Sequence, residues 1–370
     1  MKPSSILSYN RIKVSAPLSN ANGMALLLTL TIVALLVTTT LELNRRARIG
    51  IQTTAATRDR LILSQMLESG VQAAMALLVK DKEDSEIDSI QEDWADSEKI
   101  EALINSLNFE TGQLKLKITD ERSRIQVNAL VQFPDSQTFN EAQRALWERS
   151  LRMAFLVYEH PDETDPVNTI INSLKDWLDS GDDEAITGLT GAESDYYRDL
   201  DPPYACRNGP LTHLSELLRV RAVTPELYTG QDEVPGLVSL LTVHGMSDDG
   251  SNQVSFDGRV NINTADVPVL MALLPEENQD LAVAIADFRT EKQDETYSHE
   301  LSSATWYKQV PGAGDIDIDP ELITTSSDLY RIEVEAQLNG ISMAAATVVK
   351  REPKDESGQI QCQILSWEQY

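Results

Sequence analysis

Acidic side chains are concentrated in one stretch of this 370-residue chain. The stretch holds Asp176, Asp179, Asp182, Asp183, Glu184, Glu193 and Asp195. Gly181, Gly188 and Gly191 lie among them and permit sharp turns. Carboxylate oxygens on such a loop suit Ca²⁺, which takes about six to eight oxygen ligands. The spacing is not that of an EF-hand, and a solvated acidic loop whose charges repel one another is the alternative interpretation.

The histidines do not indicate catalysis. His160, His213, His244 and His299 are scattered along the chain, without HExxH spacing, a GxSxG elbow or a nearby cysteine. His213 lies among leucines, which favours a structural role. Paired carboxylates are frequent in so acidic a chain and therefore do not indicate a glycosidase. We expect no enzymatic activity.

Charge and cysteine content exclude further classes of protein. The chain has 31 basic and 59 acidic residues and a formal net charge of -28, which repels nucleic acid and anionic lipid surfaces. Cys206 and Cys362 are far apart in sequence and lack a CxxC partner, so neither a zinc site nor a disulfide-rich scaffold is indicated. A single disulfide and two separate thiols both remain open.

The N-terminus carries a membrane signal. Residues 1–23 contain Lys2, Arg11 and Lys13 but no acidic residue, and an uncharged apolar run follows from Met24 to Leu41. A helix over this run is about 27 Å long, enough to span a hydrocarbon core. A secretory signal needs a small-x-small site after its apolar run, and LELNRRARIG offers none.

Gly23 directly before the apolar run resembles the prepilin-type signal. The resemblance implies that a prepilin peptidase cuts between Gly23 and Met24, that the new amine of Met24 is methylated, and that the apolar helix stays on the mature protein. Arg45, Arg46 and Arg48 compete with the leader in the positive-inside count. The resemblance places the leader in the cytoplasm and the bulk of the chain in the periplasm. A plain single-span anchor is the alternative.

Hydrophobic periodicity predicts an α+β domain built from both ends of the chain. Apolar residues between Leu63 and Leu78 recur at three- and four-residue steps, so the first helix should continue to about Lys80. Alternating patterns predict strands at Gln113–Thr119, Arg124–Asn128, Leu329–Asn339, Ile341–Lys350 and Gln359–Ser366. Asn339-Gly340 predicts a tight hairpin turn. We expect a pilin-like fold, a long N-terminal helix packed on an antiparallel sheet.

The middle of the chain predicts a large inserted helical domain. Helical patterns cover Asn140–Glu159, Ile170–Leu178, Thr212–Val220, Ala265–Leu274 and Gln279–Arg289. The predicted domains are a leader at 1–23, a transmembrane segment at 24–41, pilin-like parts at 42–128 and 326–370, and an insert at 129–325. The insert divides into subdomains at about 129–240 and 241–325. Its second half resembles SAM-like or helical-hairpin units.

Four motifs resemble one family in their order and spacing. They are DERSRIQVNAL from Asp120, DWLDSGDDE from Asp176 with GAESDYY from Gly191, RNGPLTHLSELLRV from Arg207, and VNINTADVPVLMALLP from Val260. Behind a prepilin signal, this series resembles the K-type minor pseudopilins of the type II secretion system, the GspK family. The resemblance implies a pseudopilus-tip subunit that initiates assembly for protein export. Implied partners are the I- and J-type minor pseudopilins, the major pseudopilin, the prepilin peptidase and the secreted substrate.

The resemblance also selects site residues. Pilin-like subunits usually have a glutamate at mature position five, which here is Leu28, and its absence is associated in the family with the tip. The family is known for calcium sites, and the matching acidic loop implies a structural Ca²⁺ held by Asp179, Asp182, Asp183, Glu193 and Asp195.

A membrane-anchored DNA-binding protein of a DNA-uptake apparatus is the alternative function. NINTA followed by leucines is similar to a helix-hairpin-helix module. Glu276 and Glu277 stand where that module has glycines, so we expect no nucleic-acid partner.

Overall fold

The computed structural model describes residues 21–134, 136–156, 164–181, 186–231, 234–247, 254–353 and 358–370. The chain divides into two units, Met1–Leu61 and Ile62–Tyr370. The α-helices are α1 (Ala21–Asp84), α2 (Ser97–Ser106), α3 (Glu141–Ala154), α4 (Pro166–Leu178), α5 (Ser194–Arg198), α6 (Pro225–Thr229), α7 (Leu237–Leu240), α8 (Val267–Leu273) and α9 (Ala282–Thr290). Short 3-10 helices lie at Glu121–Ser123, Val127–Leu130, Leu214–Arg219, Glu276–Leu281 and Trp306–Gln309.

The strands comprise four that form one sheet and several two-residue pairs. They are β1 (Gln113–Asp120), β2 (Ile125–Gln126), β3 (Gly230–Gln231), β4 (Val234–Pro235), β5 (Leu241–Thr242), β6 (Met246–Ser247), β7 (Ser255–Phe256), β8 (Val260–Asn261), β9 (Lys292–Gln293), β10 (Thr296–Tyr297), β11 (Ile323–Thr324), β12 (Leu329–Leu338), β13 (Ile341–Glu352) and β14 (Gln361–Gln369). The sheet has the order β1-β12-β13-β14 and is antiparallel throughout.

The first unit contains the apolar start of α1. Residues 23–55 are exposed, and an 18-residue window of mean hydropathy 2.3 has none of its residues buried. Among the described residues, α1 is long and apolar enough to cross a membrane. Threonine hydroxyls along it donate to carbonyls three or four residues earlier, as Thr31 does to Leu27 and Thr38 does to Ala34. These bonds satisfy the polar groups that hydrocarbon would leave without a partner.

In the second unit, the rest of α1 packs on one face of the sheet. Leu63, Leu67, Val71 and Leu78 are fully or almost fully buried against alternate residues of β12 such as Ile332. The helix ends at Asp84, beyond the predicted end near Lys80. This arrangement confirms the predicted α+β fold of a long N-terminal helix on an antiparallel sheet.

The predicted hairpin is also present. Asn339 and Gly340 have φ values of 50° and 80°, and they connect β12 to β13 with Leu338 opposite Ile341. Two positive-φ residues produce the turn whose twist matches that of the strands. The last strand, β14, extends to Gln369, beyond the predicted end at Ser366.

The insert has a hydrophobic core of its own, which includes Trp147, Trp177 and Trp306. It is less helical than the sequence predicts. The parallel pairs β2 with β5 and β8 with β11 lie between its helices. The predicted helix at Asn140–Glu159 is α3, Glu141–Ala154, and residues 157–163 lie outside the described part of the chain.

The predicted helix at Thr212–Val220 is wrong, because the chain forms only a 3-10 helix at Leu214–Arg219. The Glu216 carboxylate accepts from the backbone N–H groups of Thr212 and His213. These bonds belong to a capping box, which begins a helix. The 3-10 helix ends at Arg219, and Val220 after it has extended backbone angles. His213 is exposed rather than packed among the leucines.

The helical hairpin at the end of the insert is shorter than predicted. Its helices, α8 and α9, are joined through the 3-10 helix Glu276–Leu281. Glu276 and Glu277 therefore begin an acidic turn of helix at the place where a DNA-binding hairpin presents glycine amides.

Gly70 allows α1 to approach the sheet closely. A Cβ there would lie 2.9 Å from Val334 Cγ1 and 3.2 Å from Leu114 Cδ2. We expect Gly70→Leu to lower the free energy of unfolding by about 1–3 kcal/mol through overpacking. The measurement is denaturant unfolding of the full chain in detergent micelles. Gly50→Leu is the matched control, since a Cβ at Gly50 meets nothing within 4 Å. Equal destabilisation by both changes would contradict this packing.

Candidate functional site: an acidic cluster in the insert

Three carboxylates of the insert converge behind α4. Asp176 lies in the last turn of α4, Asp179 caps its C-terminus, and Glu193 precedes α5. One oxygen from each lies within 4.8 Å of the others. The exposed fractions of these residues are only 0%, 8% and 6%. Buried acids this close are costly unless a proton or a cation balances their charge.

The amphipathic α4 positions two of these side chains. Ile170, Leu174 and Trp177 anchor the helix in the core, so that its C-terminal turn is fixed. Both oxygens of Asp176 accept from the backbone N–H of Thr187 at 3.1 Å. This contact holds Thr187, which follows the acidic loop, against α4.

Gly191 makes room for the cluster. A Cβ at this position would lie 2.1 Å from Asp176 Oδ2 and 2.8 Å from the backbone N and O of Thr187. A side chain at this position would therefore collide with the carboxylate and with the backbone of Thr187. A glycine is needed here because Asp176 and Thr187 approach its Cα closely, and not because of a positive φ.

The local charges favour a hard cation. Burial raises the pKa of Asp176, which shows the cost of its charge. Lys175 Nζ lies 3.2 Å from Asp179 Oδ2 and supplies one positive charge beside three carboxylates. Clustered carboxylate oxygens are a donor set suited to Ca²⁺.

The structure brings together some of the predicted calcium residues. Asp179 and Glu193 belong to the cluster, but the Asp195 side chain is 94% exposed and lies 3.4 Å from Arg198 Nη1. Asp182 and Asp183 lie outside the described residues. Asp176 is in the acidic stretch but not among the five selected residues. Its three-residue spacing from Asp179 at a helix end is the signal that could have identified it.

The predicted signal residues lie on the exposed start of α1. Met24 is 72% exposed and Leu28 is 63% exposed, and a Cβ at Gly23 would meet nothing within 4 Å. Cleavage and methylation at Gly23 and Met24 stay predictions, as does the role of Leu28.

A second acidic cluster joins α1 to the sheet. Asp81, Asp88 and Glu92 have oxygens within 4.8 Å of one another, and the buried Arg351 guanidinium bonds to Asp81 and Asp88. The Tyr330 hydroxyl donates to Asp88 as well. Burial, reinforced by Glu92, raises the pKa of Asp81 to about 7. Sequence reasoning missed this cluster because Arg351 and Tyr330 are distant in the chain and leave no local pattern.

The same region holds the insert against the sheet. Asp120 Oδ2 accepts from Asn261 Nδ2 at 2.7 Å and from Thr264 Oγ1 at 2.6 Å. The Asn261 amide also donates to the carbonyl of Asp88 at 2.9 Å. Burial raises the pKa of Asp120 to about 6. Through the hydrogen bonds of Asn261 and Thr264, the NINTA motif fixes the insert to the pilin-like domain.

Both cysteines are free thiols. Cys206 donates to the carbonyl of Asp176 at 3.4 Å within the insert core, whereas Cys362 lies 3.9 Å from the carbonyl of Met75 beside α1. Burial raises the pKa of Cys206 to about 12 and that of Cys362 to about 11. Of the two alternatives left open by the sequence, the structure has separate thiols.

Comparisons with known proteins point to one family. The profile described as "Type II secretion system (T2SS), protein K" matches residues 123–231. The type II secretion system protein K of Aeromonas hydrophila is 24% identical over 208 residues, which is 56% of this chain and 60% of that protein. That of Klebsiella pneumoniae is 27% identical over 216 residues, with 56% and 59% covered. The chain thus matches less than two thirds of the length of these curated relatives.

A solved structure has the same fold. One chain of the crystal structure of the GspK-GspI-GspJ complex from the enterotoxigenic Escherichia coli type 2 secretion system superposes with a TM-score of 0.57. It is 17% identical, and the match covers 85% of this chain and 99% of that chain. The predicted resemblance to the K-type family is confirmed by the profile, the relatives and the fold together.

The raised pKa of Asp81 predicts a pH-dependent stability. Its value is 3.8 in the unfolded chain and about 7 when folded, so between these values the folded chain holds more protons. The contribution of Asp81 to the free energy of unfolding is greatest below pH 4 and is lost as the pH rises to about 7. The free energy falls by up to about 1.4 kcal/mol per pH unit for each extra proton that the folded chain holds. We expect the free energy of unfolding of Asp81→Asn to depend less on pH than that of the wild-type chain. The measurement is unfolding from pH 4.5 to 7.5 with a chelator present.

The exposed neighbour Glu83 provides the control. Glu83→Gln should leave the pH dependence of the wild-type chain unchanged. An Asp81→Asn chain with the wild-type pH dependence would show that this carboxyl does not hold the extra proton.

Proposed function

We propose that this chain, whose sequence and fold are those of the type II secretion system protein K family, acts as a minor pseudopilin. The observation that carries the proposal is the composition of α1. Its first part is apolar and exposed, and its second part is buried on an antiparallel sheet. A helix of this kind anchors a subunit in the membrane and also forms the spine of its folded domain.

The single anchor defines the proposed location. The apolar part of α1 crosses the inner membrane once, the leader before Gly23 lies in the cytoplasm, and the rest of the chain lies in the periplasm. Arg45 and Arg46 follow the span, and both lie within 4.0 Å of Glu42. Because acidic residues contribute little to the positive-inside count, these arginines still compete with the leader, and the proposed orientation depends on the resemblance to the prepilin-type signal.

The proposed partners follow from the solved complex of GspK with GspI and GspJ. The chain assembles with I- and J-type minor pseudopilins and with the major pseudopilin, after processing by the prepilin peptidase. Secreted substrate is a further proposed contact.

The proposed position is the tip of the pseudopilus, where the subunit initiates assembly. Leu28 offers no carboxylate for the amine of a subunit above it, and a carboxylate buried in the membrane without that partner would be costly. The large insert with its own core would obstruct further subunits on that side.

The role is structural rather than catalytic. The described clusters of acids serve cohesion of the fold. His213 and His244 line one cavity beside the sheet, whereas His299 stacks on Phe288. DNA binding is disfavoured by the net charge of -28 and by the acidic turn at Glu276.

Calcium stabilises the insert in this proposal. Asp176, Asp179 and Glu193 supply the carboxylates, and Asp182 and Asp183 of the same stretch complete the oxygen set. Asp195, whose side chain is 94% exposed, takes no part. The ion ties the end of α4 to the start of α5 across the acidic loop. This role is supported by the burial of the three carboxylates and by their oxygens lying within 4.8 Å of one another.

Processing predicts a defined mature mass. In cells with the prepilin peptidase, intact-mass spectrometry should show a chain that begins at N-methylated Met24. In cells without the peptidase, the leader should remain. A mature chain that begins elsewhere would contradict the pseudopilin assignment, because assembly depends on the N-terminal helix.

Calcium should raise the stability of the folded chain. At a concentration a hundredfold above its Kd, one bound ion adds about 2.7 kcal/mol to the free energy of unfolding. Asp176→Asn and Glu193→Gln should abolish this increase, measured as the change in Tm between calcium and chelator together with calorimetric titration. Asp195→Asn is the matched control and should respond as the wild-type chain does. Loss of the calcium response in Asp195→Asn alone would place the ion elsewhere.

A further inference from the structure

The two outer strands of the sheet differ in how their edges are protected. β1 carries Lys115 and Lys117, both exposed, and α2 packs beside it. β14 contains no lysine, arginine or proline, and Glu368 is its one charged residue. Within the described part of the chain, no strand pairs with the outer edge of β14. Long outer strands without such residues tend to pair with another chain.

The register identifies the free backbone groups. Ala344 and Tyr370 exchange N–H to O bonds of 2.9 and 3.0 Å, so the backbone of Tyr370 faces β13. Backbone direction alternates along an antiparallel strand, and Trp367 and Gln369 therefore direct their N–H and C=O groups outward. The register shifts between Val348 and Val349, which leaves Leu365 as the bulged residue of β14. The continuous free edge is thus confined to residues 366–370.

Apolar side chains accompany this edge. Ile364, Leu365 and Trp367 are 40%, 42% and 38% exposed. Trp367 lies opposite Thr347 and so shares the face on which α1 packs. On the other face, Leu365 and Glu368 border a cavity of about 560 Å³ that also contains His213 and His244. An added strand would find apolar contacts on the first face and an open cavity on the second.

We propose that the edge of β14 at residues 366–370 binds an extended strand of another pilin-type subunit and continues the sheet into it. The backbone groups of Trp367 and Gln369 pair with the added strand, and Trp367 packs against its side chains. Main-chain pairing supplies affinity in such complexes, and alternate side chains supply specificity. The inference rests on the proposed function, since it names the surface that receives a partner subunit.

Charge favours a different subunit over a second copy. Two copies of this chain would each bring a net charge of -28 and an identical Glu368 to the pair, and like charges across strands are unfavourable. The fitting segment alternates apolar residues and carries a basic side chain opposite Glu368.

The test compares two substitutions at one position. Gln369→Pro removes an outward N–H and leaves the bonds to β13 intact, whereas Gln369→Ala removes the side chain but keeps the N–H. The tagged full chain is co-expressed with the I- and J-type subunits, solubilised in detergent and purified. We expect Gln369→Pro to weaken co-purification at least about tenfold, with the Tm unchanged, and Gln369→Ala to bind as the wild type does.

A second pair of variants tests the side-chain contact. Trp367→Lys should weaken binding at least about tenfold, as loss of a central tryptophan does at an interface. Val283→Lys on α9, where Val283 is 54% exposed, should have no effect.

The outcomes are distinct. Wild-type binding by both Gln369→Pro and Trp367→Lys would overturn the edge-strand proposal and leave the proposed function intact. A wild-type chain that binds neither subunit would overturn both. Self-association that Gln369→Pro abolishes would replace the partner subunit with a second copy and overturn the inference as stated.

Discussion

The buried guanidinium of Arg351 is the contact on which the architecture depends. Only 1% of its side chain is exposed, and it donates to the carbonyl of Leu78 at the end of α1 and to the carbonyl of Ser327 before β12. It also pairs with Asp88 and lies over the ring of Tyr330. Removal of one partner from a buried ion pair typically costs about 3–5 kcal/mol. One side chain near the end of the chain thus fixes the helix near its beginning.

The insert depends on the same junction. Asp88 pairs with Arg351 through its side chain and accepts from Asn261 through its carbonyl. A second connection runs from Arg331 to Glu121, whose oxygens lie 3.0 Å from the guanidinium, and from Glu121 to Thr242 at 2.7 Å. Burial alone would raise the pKa of Glu121, but Arg331 holds it below its usual value. Satisfied polar contacts, rather than apolar packing alone, orient the insert on the sheet.

The sequence correctly predicted the elements that are determined by residues close to one another in the chain. The apolar run after Gly23, the alternation of β12 and the Asn339-Gly340 turn each depend on neighbouring residues, and the structure has all three elements. The predicted α-helix at Thr212–Val220 is instead a shorter 3-10 helix, Leu214–Arg219, because apolar periodicity alone does not distinguish these two kinds of helix over so few residues. In the candidate site, the acidic stretch was evident, but which acids meet depends on the fold. Asp176 and Glu193 converge only because α4 and α5 pack together, and the exposed Asp195 is two residues from Glu193.

The negative charges of the two acidic clusters are balanced in different ways. At Asp81, Asp88 and Glu92, a guanidinium occupies the centre and a raised pKa keeps a proton available, so a cation there would compete with Arg351. At Asp176, Asp179 and Glu193, the ammonium of Lys175 lies beside Asp179 at one side of the cluster, and the proposed divalent ion would lie among the three carboxylates. Arg351 is part of the chain and is present in every condition, whereas calcium is supplied from outside. The junction between the domains is therefore held by groups of the chain itself, whereas the stabilisation proposed for the end of α4 depends on the calcium concentration.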